Sequence, residues 1–156
     1  MQLYSLRVIK NGDPLRVIFF KEGLNLIINA DSSVAKSGNS VGKTTPSRLL
    51  DYIFMSSGED IYTDSEFKKV IPDVAVFIDS NQIVVELEFY GFDGKKYSVG
   101  RLLKRNSKDY IFYIEGKPVA KQKYVDLIAQ HIFGQREEKP SIRSLVHKFI
   151  RNTNEK

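Results

Sequence analysis

The sequence lacks the residues and segments that mark secreted and membrane proteins. It contains no cysteine, which excludes disulfide bonds and thiolate metal sites and is typical of a reducing compartment. Residues 1–17 (MQLYSLRVIKNGDPLRV) hold no uninterrupted apolar stretch of the kind found at the centre of a signal peptide. No apolar run approaches the ~20 residues needed to cross a bilayer. The sequence therefore predicts a cytoplasmic protein with no membrane partner.

The composition is that of one globular domain with an unevenly distributed charge. The 156 residues are 42% hydrophobic and 28% charged, which is enough apolar material for one core. The net charge of +5 arises in residues 117–156, which contain nine Lys and Arg against four Asp and Glu. Such a surface can face DNA or an acidic partner, or it can be a solvated face without a partner. The candidate DNA contacts are Lys121, Lys123, Arg136, Lys139, Arg143, Lys148 and Arg151, of which Arg143 and Arg151 can instead pair with acids of another lobe.

In residues 1–58, hydrophobic patterning predicts a β-hairpin, a buried strand, a polar loop and a helix. Alternating residues on both sides of an Asn-Gly-Asp-Pro turn indicate the hairpin. The apolar run LNLII is typical of a strand that is buried on both faces. Four apolar residues at helical spacing follow the loop. The predicted elements are strands at 3–9, 15–20 and 24–28 and a helix from Thr44 to about Ser56.

The rest of the chain predicts an antiparallel β segment at 74–116 and a helical segment at 119–152. Turn residues separate four strand-like runs, which is the pattern of a meander. Two stripes of apolar residues at helical spacing follow. The fold class is therefore α+β, with an α/β phosphate-loop unit at its start. The predicted elements are strands at 74–78, 82–90, 96–103 and 109–114, a short helix at 65–70 within an irregular stretch at 59–72, and two helices around Tyr124–Ile132 and Ile142–Phe149.

Residues 37–45 (SGNSVGKTT) carry the chemistry, because they follow the phosphate-loop pattern G-x-x-x-x-G-K-[ST]. Backbone N–H groups of such a loop surround phosphates. Its lysine reaches the β- and γ-phosphates as a point charge, and its threonine hydroxyl binds Mg²⁺. The following helix directs its positive end at the same anion. The predicted nucleotide-binding residues are Ser37, Gly38, Asn39, Ser40, Val41, Gly42, Lys43, Thr44 and Thr45, with Thr44 as the Mg²⁺ ligand and ATP as the cofactor.

The surroundings of this motif favour a phosphate loop over an ordinary Gly/Ser-rich loop. A strand precedes it and a helix follows it, as the motif requires. Two residues depart from the pattern. Ser37 stands where the first glycine is expected and lacks the conformational freedom of glycine. Pro46 is tolerated in the first helical turn but disfavours the α conformation for Thr45.

The order of these segments resembles the N-terminal lobe of an ABC-type ATPase head of the SMC, RecF and RecN group. The shared features are the hairpin, the KEGLNLIIN strand, the N-x-x-GKT loop, the helix with LLDYIF and the later β segment. Within that segment, residues 97–101 (YSVGR) are similar to a Y-x-(V/I)-x-R strand of the group. Residues 140–151 are similar to a PSxRSLxxxFIR stretch of SMC-like ATPases in bacterial phage-defence and ABC-three-component systems. The likeness extends over essentially the whole chain.

The resemblance implies ATP and Mg²⁺ binding in DNA repair or phage defence, without hydrolysis by this chain alone. An ABC head also needs a Walker B strand, a signature motif and a coiled-coil arm, and the sequence contains none of them. The implied partner is the remaining ATPase lobe or a second ATPase head, and Gln135 is the candidate Q-loop residue. Two alternatives remain. One is a P-loop kinase or GTPase, although its β segment would not be antiparallel, and the other is a non-catalytic interaction module with a vestigial phosphate loop.

Overall fold

The structure is a computed structural model that describes residues 1–23, 25, 44–64, 66–134 and 141–149, without the side chains of residues 107 and 147–149. Within these residues, six strands form one sheet in the order β2-β1-β3-β4-β5-β6, and every neighbouring pair is antiparallel. The α+β class is therefore confirmed. The strands are β1 (Gln2–Lys10), β2 (Asp13–Phe19), β3 (Ile83–Tyr90), β4 (Lys96–Leu103), β5 (Phe112–Ile114) and β6 (Lys117–Val119).

Helices in the described part of the chain fall into an N-terminal, a middle and a C-terminal group. The predicted helix after the phosphate loop is present, as are the two predicted C-terminal helices. The helices are α1 (Thr45–Ile53), α2 (Glu59–Tyr62), α3 (Pro72–Ser80), α4 (Lys121–His131) and α5 (Ile142–Phe149).

The predicted hairpin forms β1 and β2, and its turn has the backbone that the sequence requires. Asn11 and Gly12 both have positive φ (52° and 95°), a conformation that Asn and Gly tolerate better than other residues. β1 also pairs with β3, more than 70 residues later. The hairpin therefore extends the sheet of the middle segment and does not form a separate unit.

One face of the sheet carries the core, because alternate residues of the central strands point to it. On β3 the side chains of Val85, Leu87 and Phe89 are completely buried. Helices α1, α4 and α5 contribute to the same apolar cluster through Ile53, Ile128 and other side chains. The core therefore lies between the sheet and these helices.

The opposite face carries a charged network centred on Glu88. Its carboxylate accepts hydrogen bonds from Ser5 Oγ (2.6 Å) and Arg7 Nη2 (2.7 Å) and pairs with Lys96 Nζ (3.1 Å). Partial burial acts to raise the pKa of Glu88, but the Ser5 and Lys96 hydrogen bonds and the nearby charge of Arg7 outweigh it and lower the pKa below 4.5. Arg7 also bonds Glu86 (3.2 Å). The network joins β1, β3 and β4.

Residues 74–78 are helical, so the strand predicted there is wrong. They lie within α3, which begins at Pro72, a residue favoured in the first turn of a helix. Ala75 and Ile78, three positions apart, are buried, whereas Val76 is 63% exposed. This spacing is helical, and a five-residue apolar run alone does not distinguish a helix from a strand.

Further boundaries differ from the predictions, and the strand predicted at 109–114 begins only at Phe112, after a turn of 3-10 helix at Ser107–Asp109. The short helix of the irregular stretch is α2, at Glu59–Tyr62, and not at 65–70; Val70 instead forms an isolated antiparallel bridge with Thr63. The β segment extends beyond residue 116, because Glu115 (φ 49°) and Gly116 (φ 70°) turn the chain into β6. The predicted strand at 24–28 lies outside the described residues except for Asn25.

Candidate nucleotide-binding site and its helix

Of the nine predicted nucleotide-binding residues, the structure describes Thr44 and Thr45. The other seven, Ser37, Gly38, Asn39, Ser40, Val41, Gly42 and Lys43, lie outside the described residues. Thr44 immediately precedes α1 and has helical dihedral angles (φ −82°, ψ −14°). Thr45 is the first residue of α1, and both threonines are exposed. The helix therefore begins where the motif requires it to begin.

Backbone and side-chain contacts define the first turn of α1. The carbonyl of Thr44 accepts hydrogen bonds from Ser47 Oγ (2.8 Å) and from the Arg48 N–H (3.1 Å). Among the described residues, the Thr44 side chain makes no capping hydrogen bond. Thr45 is helical although Pro46 follows it, so the expected restriction on this residue does not prevent helix formation. Pro46 has no N–H and that of Arg48 is bonded to Thr44, so the N–H groups of the first turn that can face an anion are those of Thr45 and Ser47.

A second contact fixes the first turn of α1 from the side. Arg48 Nη1 donates a hydrogen bond to the carbonyl of Asp60 in α2 (2.7 Å). Gly58 precedes α2 with φ +77°, and a Cβ there would lie 2.7 Å from Cδ2 of Tyr52. The chain can therefore turn back closely against α1 only because this residue is glycine.

At the other end of α1, a buried arginine contacts the helix. Arg101 of β4 is 1% exposed. Its Nη1 donates a short hydrogen bond to the carbonyl of Tyr52 and a second one to the carbonyl of Ser56 (3.0 Å). Its guanidinium carbon lies 3.9 Å from the centre of the Tyr52 ring and 4.7 Å from that of Tyr110. Positive charge at this position complements the negative end of the helix dipole.

Two tyrosines bind further carbonyls at the same end of α1. Tyr124 of α4 donates to the carbonyl of Ile53 (2.9 Å), and Tyr110 donates to that of Ser57 (2.6 Å). Tyr52 itself donates to the carbonyl of Leu102 in β4 (2.6 Å). Burial raises the pKa of both Tyr52 and Tyr124 well above 10.0 against the opposing effect of the Arg101 charge, so both phenols are neutral donors.

The structure describes four of the seven basic residues proposed for DNA, and for Lys148 only the backbone. Lys121 and Lys123 are exposed at the start of α4. Arg143 of α5 instead pairs with Asp51 of α1 (2.5 Å), so the acid that it binds is in this chain. Lys148 lies in α5. Arg136, Lys139, Arg151 and the candidate Q-loop residue Gln135 lie outside the described residues.

His131 lies in a small polar cluster at the end of α4. Its ring packs against that of Tyr97 in a tilted arrangement (4.3 Å between centres, 32° between planes), and its Nδ1 is 3.9 Å from Asp93. Tyr97 donates to Asp93 (2.6 Å), and this hydrogen bond lowers the pKa of the Asp93 carboxyl. No group of three His, Cys, Asp or Glu side chains comes together at metal-binding distance within the residues that the structure describes.

Sequence reasoning identified Arg101 only as part of a strand motif and did not predict its burial. The burial depends on Tyr52, 49 residues earlier, and Tyr110, whose rings the fold brings next to the guanidinium and into edge-to-face contact with each other. The run of residues 97–101 is the one signal that marks this arginine before the fold is known.

Comparison with known proteins assigns neither a family nor a function to the chain. The sequence matches no protein-family model, and no curated protein shows significant similarity to it. None of the helices in the described ranges is long and apolar enough to cross a membrane.

Proposed function

We propose that residues 37–45 bind the phosphates of ATP with Mg²⁺, and that the chain acts as the N-terminal lobe of an SMC-like ATPase in the cytoplasm. The observation that supports this is the start of α1 at Thr45, directly after the Gly-Lys-Thr run. The helix lies against the sheet through Leu49, Tyr52 and Ile53, all of them buried. On this proposal, N–H groups of the first turn and the Thr44 hydroxyl bind the same phosphates and Mg²⁺ as Lys43, which comes just before them in the sequence.

On this proposal the isolated lobe binds nucleotide but does not hydrolyse it. Phosphoryl transfer depends on positioning and on charge stabilisation. The loop supplies a cradle, a cation and one Mg²⁺ ligand, whereas a group that orients the attacking water is not evident in the sequence. That group belongs to the remaining lobe or to a second ATPase head, and DNA repair or phage defence is the process that such an assembly serves.

The second candidate function is a non-catalytic interaction module in which the phosphate loop is vestigial. Ser37, which stands where the first glycine of the pattern is expected, favours it. The two functions differ in whether the chain binds nucleotide.

Titration of the purified chain with a fluorescent ATP analogue and Mg²⁺ tests the proposal. We expect saturable binding that Lys43→Ala weakens at least tenfold, because the substitution removes the cation at the β- and γ-phosphates. Thr44→Ala should make binding less dependent on Mg²⁺. Lys117→Ala, at an exposed lysine of β6, is the control and should bind as the unaltered chain does.

Two results would count against the proposal. If the unaltered chain and Lys43→Ala bind the analogue equally, or if neither binds it, the loop is vestigial and the interaction module is the better reading. If the purified chain releases phosphate from ATP at a sustained rate, the claim that hydrolysis needs another lobe is wrong.

A further inference from the structure

Arg101 is a buried cation for which the described residues provide no carboxylate. It lies on β4 opposite Val85 of β3 and Phe112 of β5, in the interior of the sheet. Within the described residues, Arg101 forms no salt bridge, and its buried Nε atom has no hydrogen-bond partner. Moving a charged group out of water is unfavourable unless other interactions compensate. An apolar side chain of similar length would fill this space without that penalty.

The interactions that compensate the charge all direct the guanidinium at the C-terminal end of α1. The carbonyls of Tyr52 and Ser56 accept its hydrogen bonds, one in the last turn of the helix and one in the segment that leaves it. The rings of Tyr52, Tyr110 and Phe112 surround the cation at 3.9–5.2 Å and provide cation–π attraction. The arginine thus binds both the end of the helix and the chain after it, which fixes the end of α1 in position relative to β4.

Because α1 is short, a movement of its C-terminal end is transmitted to its N-terminal end. The helix has nine residues, which at 1.5 Å per residue is about 13 Å. A hydrogen-bonded helix of this length moves as a rod, so a shift or tilt at Tyr52 also displaces Thr44 and Thr45. Hydrogen bonds from the first turn to a phosphate weaken when the turn is displaced, because their strength depends on the donor–acceptor distance and angle.

We propose that Arg101 is a positioning residue, which sets the position of α1 from its C-terminal end and thereby places the N-terminal turn at the nucleotide phosphates. The nucleotide part of this inference rests on the proposed function. The helix part does not, because it concerns only the contacts between β4 and α1.

The first test compares Arg101→Met with Val99→Ala in the ATP-analogue titration, at a temperature at which circular dichroism shows both variants folded. Val99 is fully buried on the same strand and the same face, so its substitution lowers stability without removing a bond to α1. We expect Arg101→Met to bind the analogue at least fivefold more weakly than Val99→Ala does. A smaller difference would overturn the inference, since Arg101 would then act only through stability. If Arg101→Met does not fold, Arg101→Lys replaces it, with the same threshold.

The second test needs no nucleotide and keeps the two proposals separable. Native-state hydrogen exchange measures the exchange rate of the Arg48 amide proton, which is donated to the Thr44 carbonyl, and the exchange rates of the amide protons in β1 and β3. We expect Arg101→Met to accelerate exchange at Arg48 at least fivefold more than it does in the strands, and Val99→Ala to accelerate both equally. Equal acceleration in Arg101→Met would refute the positioning role even if ATP binds. If the expected exchange pattern appears but the unaltered chain does not bind ATP, the proposed function fails and the positioning of α1 stands.

Discussion

The substitution Tyr124→Phe removes one hydrogen bond from the end of α1 and leaves the packing in place. Tyr124 is completely buried, and its hydroxyl donates to the Ile53 carbonyl over 2.9 Å. Its ring contacts Phe112 with 5.0 Å between centres, a contact that phenylalanine keeps. The change therefore leaves a buried carbonyl without this donor while the apolar contacts of the ring remain.

The magnitude follows from the burial of both groups. A buried acceptor that loses its donor costs about 1–3 kcal/mol, and no water replaces the hydroxyl at a fully buried site without rearrangement. We expect the free energy of unfolding to fall by about 1–2 kcal/mol. For a chain of this size each kcal/mol lowers the melting temperature by roughly 2–4 °C, so the expected decrease is about 2–8 °C.

Urea unfolding followed by circular dichroism measures the change, with Tyr113→Phe as the control. Tyr113 lies on β5 and is partly exposed, so removal of its hydroxyl should alter the free energy of unfolding by less than about 0.5 kcal/mol. A loss below this value for Tyr124→Phe would mean that the hydrogen bond to α1 contributes nothing. A loss above about 4 kcal/mol would mean that the core repacks, which contradicts the view that only one bond is removed.

Two further predictions concern other sites. Gly58→Ala should reduce the free energy of unfolding by about 1–3 kcal/mol more than Gly94→Ala does. Both glycines have positive φ, but a Cβ at Gly58 would collide with Tyr52, whereas nothing lies within 4 Å of a Cβ at Gly94. Equal losses of stability in urea unfolding would exclude the collision with Tyr52. The pKa of Glu88 is lower in the folded chain than its usual 4.5, so the stability that it contributes is present above that pH and is lost as the pH falls through the lower, folded pKa. Glu88→Gln should therefore reduce stability at pH 7 and flatten its decline as the pH falls below 4.5, and parallel pH profiles for the two chains would contradict this.

Among the described residues, elements with a strong local signal were predicted correctly, and the errors at 65–70, 74–78 and 109–111 arose where that signal is short or ambiguous. The β1–β2 hairpin follows from its turn residues, and the start of α1 follows from the Gly-Lys-Thr run and the helical spacing after it. Residues 74–78 are apolar and include three β-branched residues, which favours a strand locally. Tertiary contacts decide otherwise, because Ala75 and Ile78 fit the core only when the backbone is helical. The phosphate loop itself stays a prediction, since seven of its residues lie outside the described part of the chain.

The contacts that hold α1 were not predictable from sequence spacing. Arg101 and Tyr52 are 49 residues apart, and Tyr124 and Ile53 are 71 apart. Hydrophobic periodicity reports which face of an element is buried, but it does not report which element covers that face. A charged residue in a strand is expected on the solvent side, and only the carbonyls of α1 and the surrounding rings make its burial favourable.

The sequence by itself determined the class of the fold, the position of its hairpin and, to within one residue, the start of α1, because the signals for each lie in residues that are close together in the chain. It also supplied the motif on which the proposed function rests. The tertiary structure alone decided that β1 lies between β2 and β3, that residues 74–78 form a helix, and that Arg101 binds the far end of the helix that follows the phosphate loop. These features depend on groups far apart in sequence, and their energies exist only when the chain has folded.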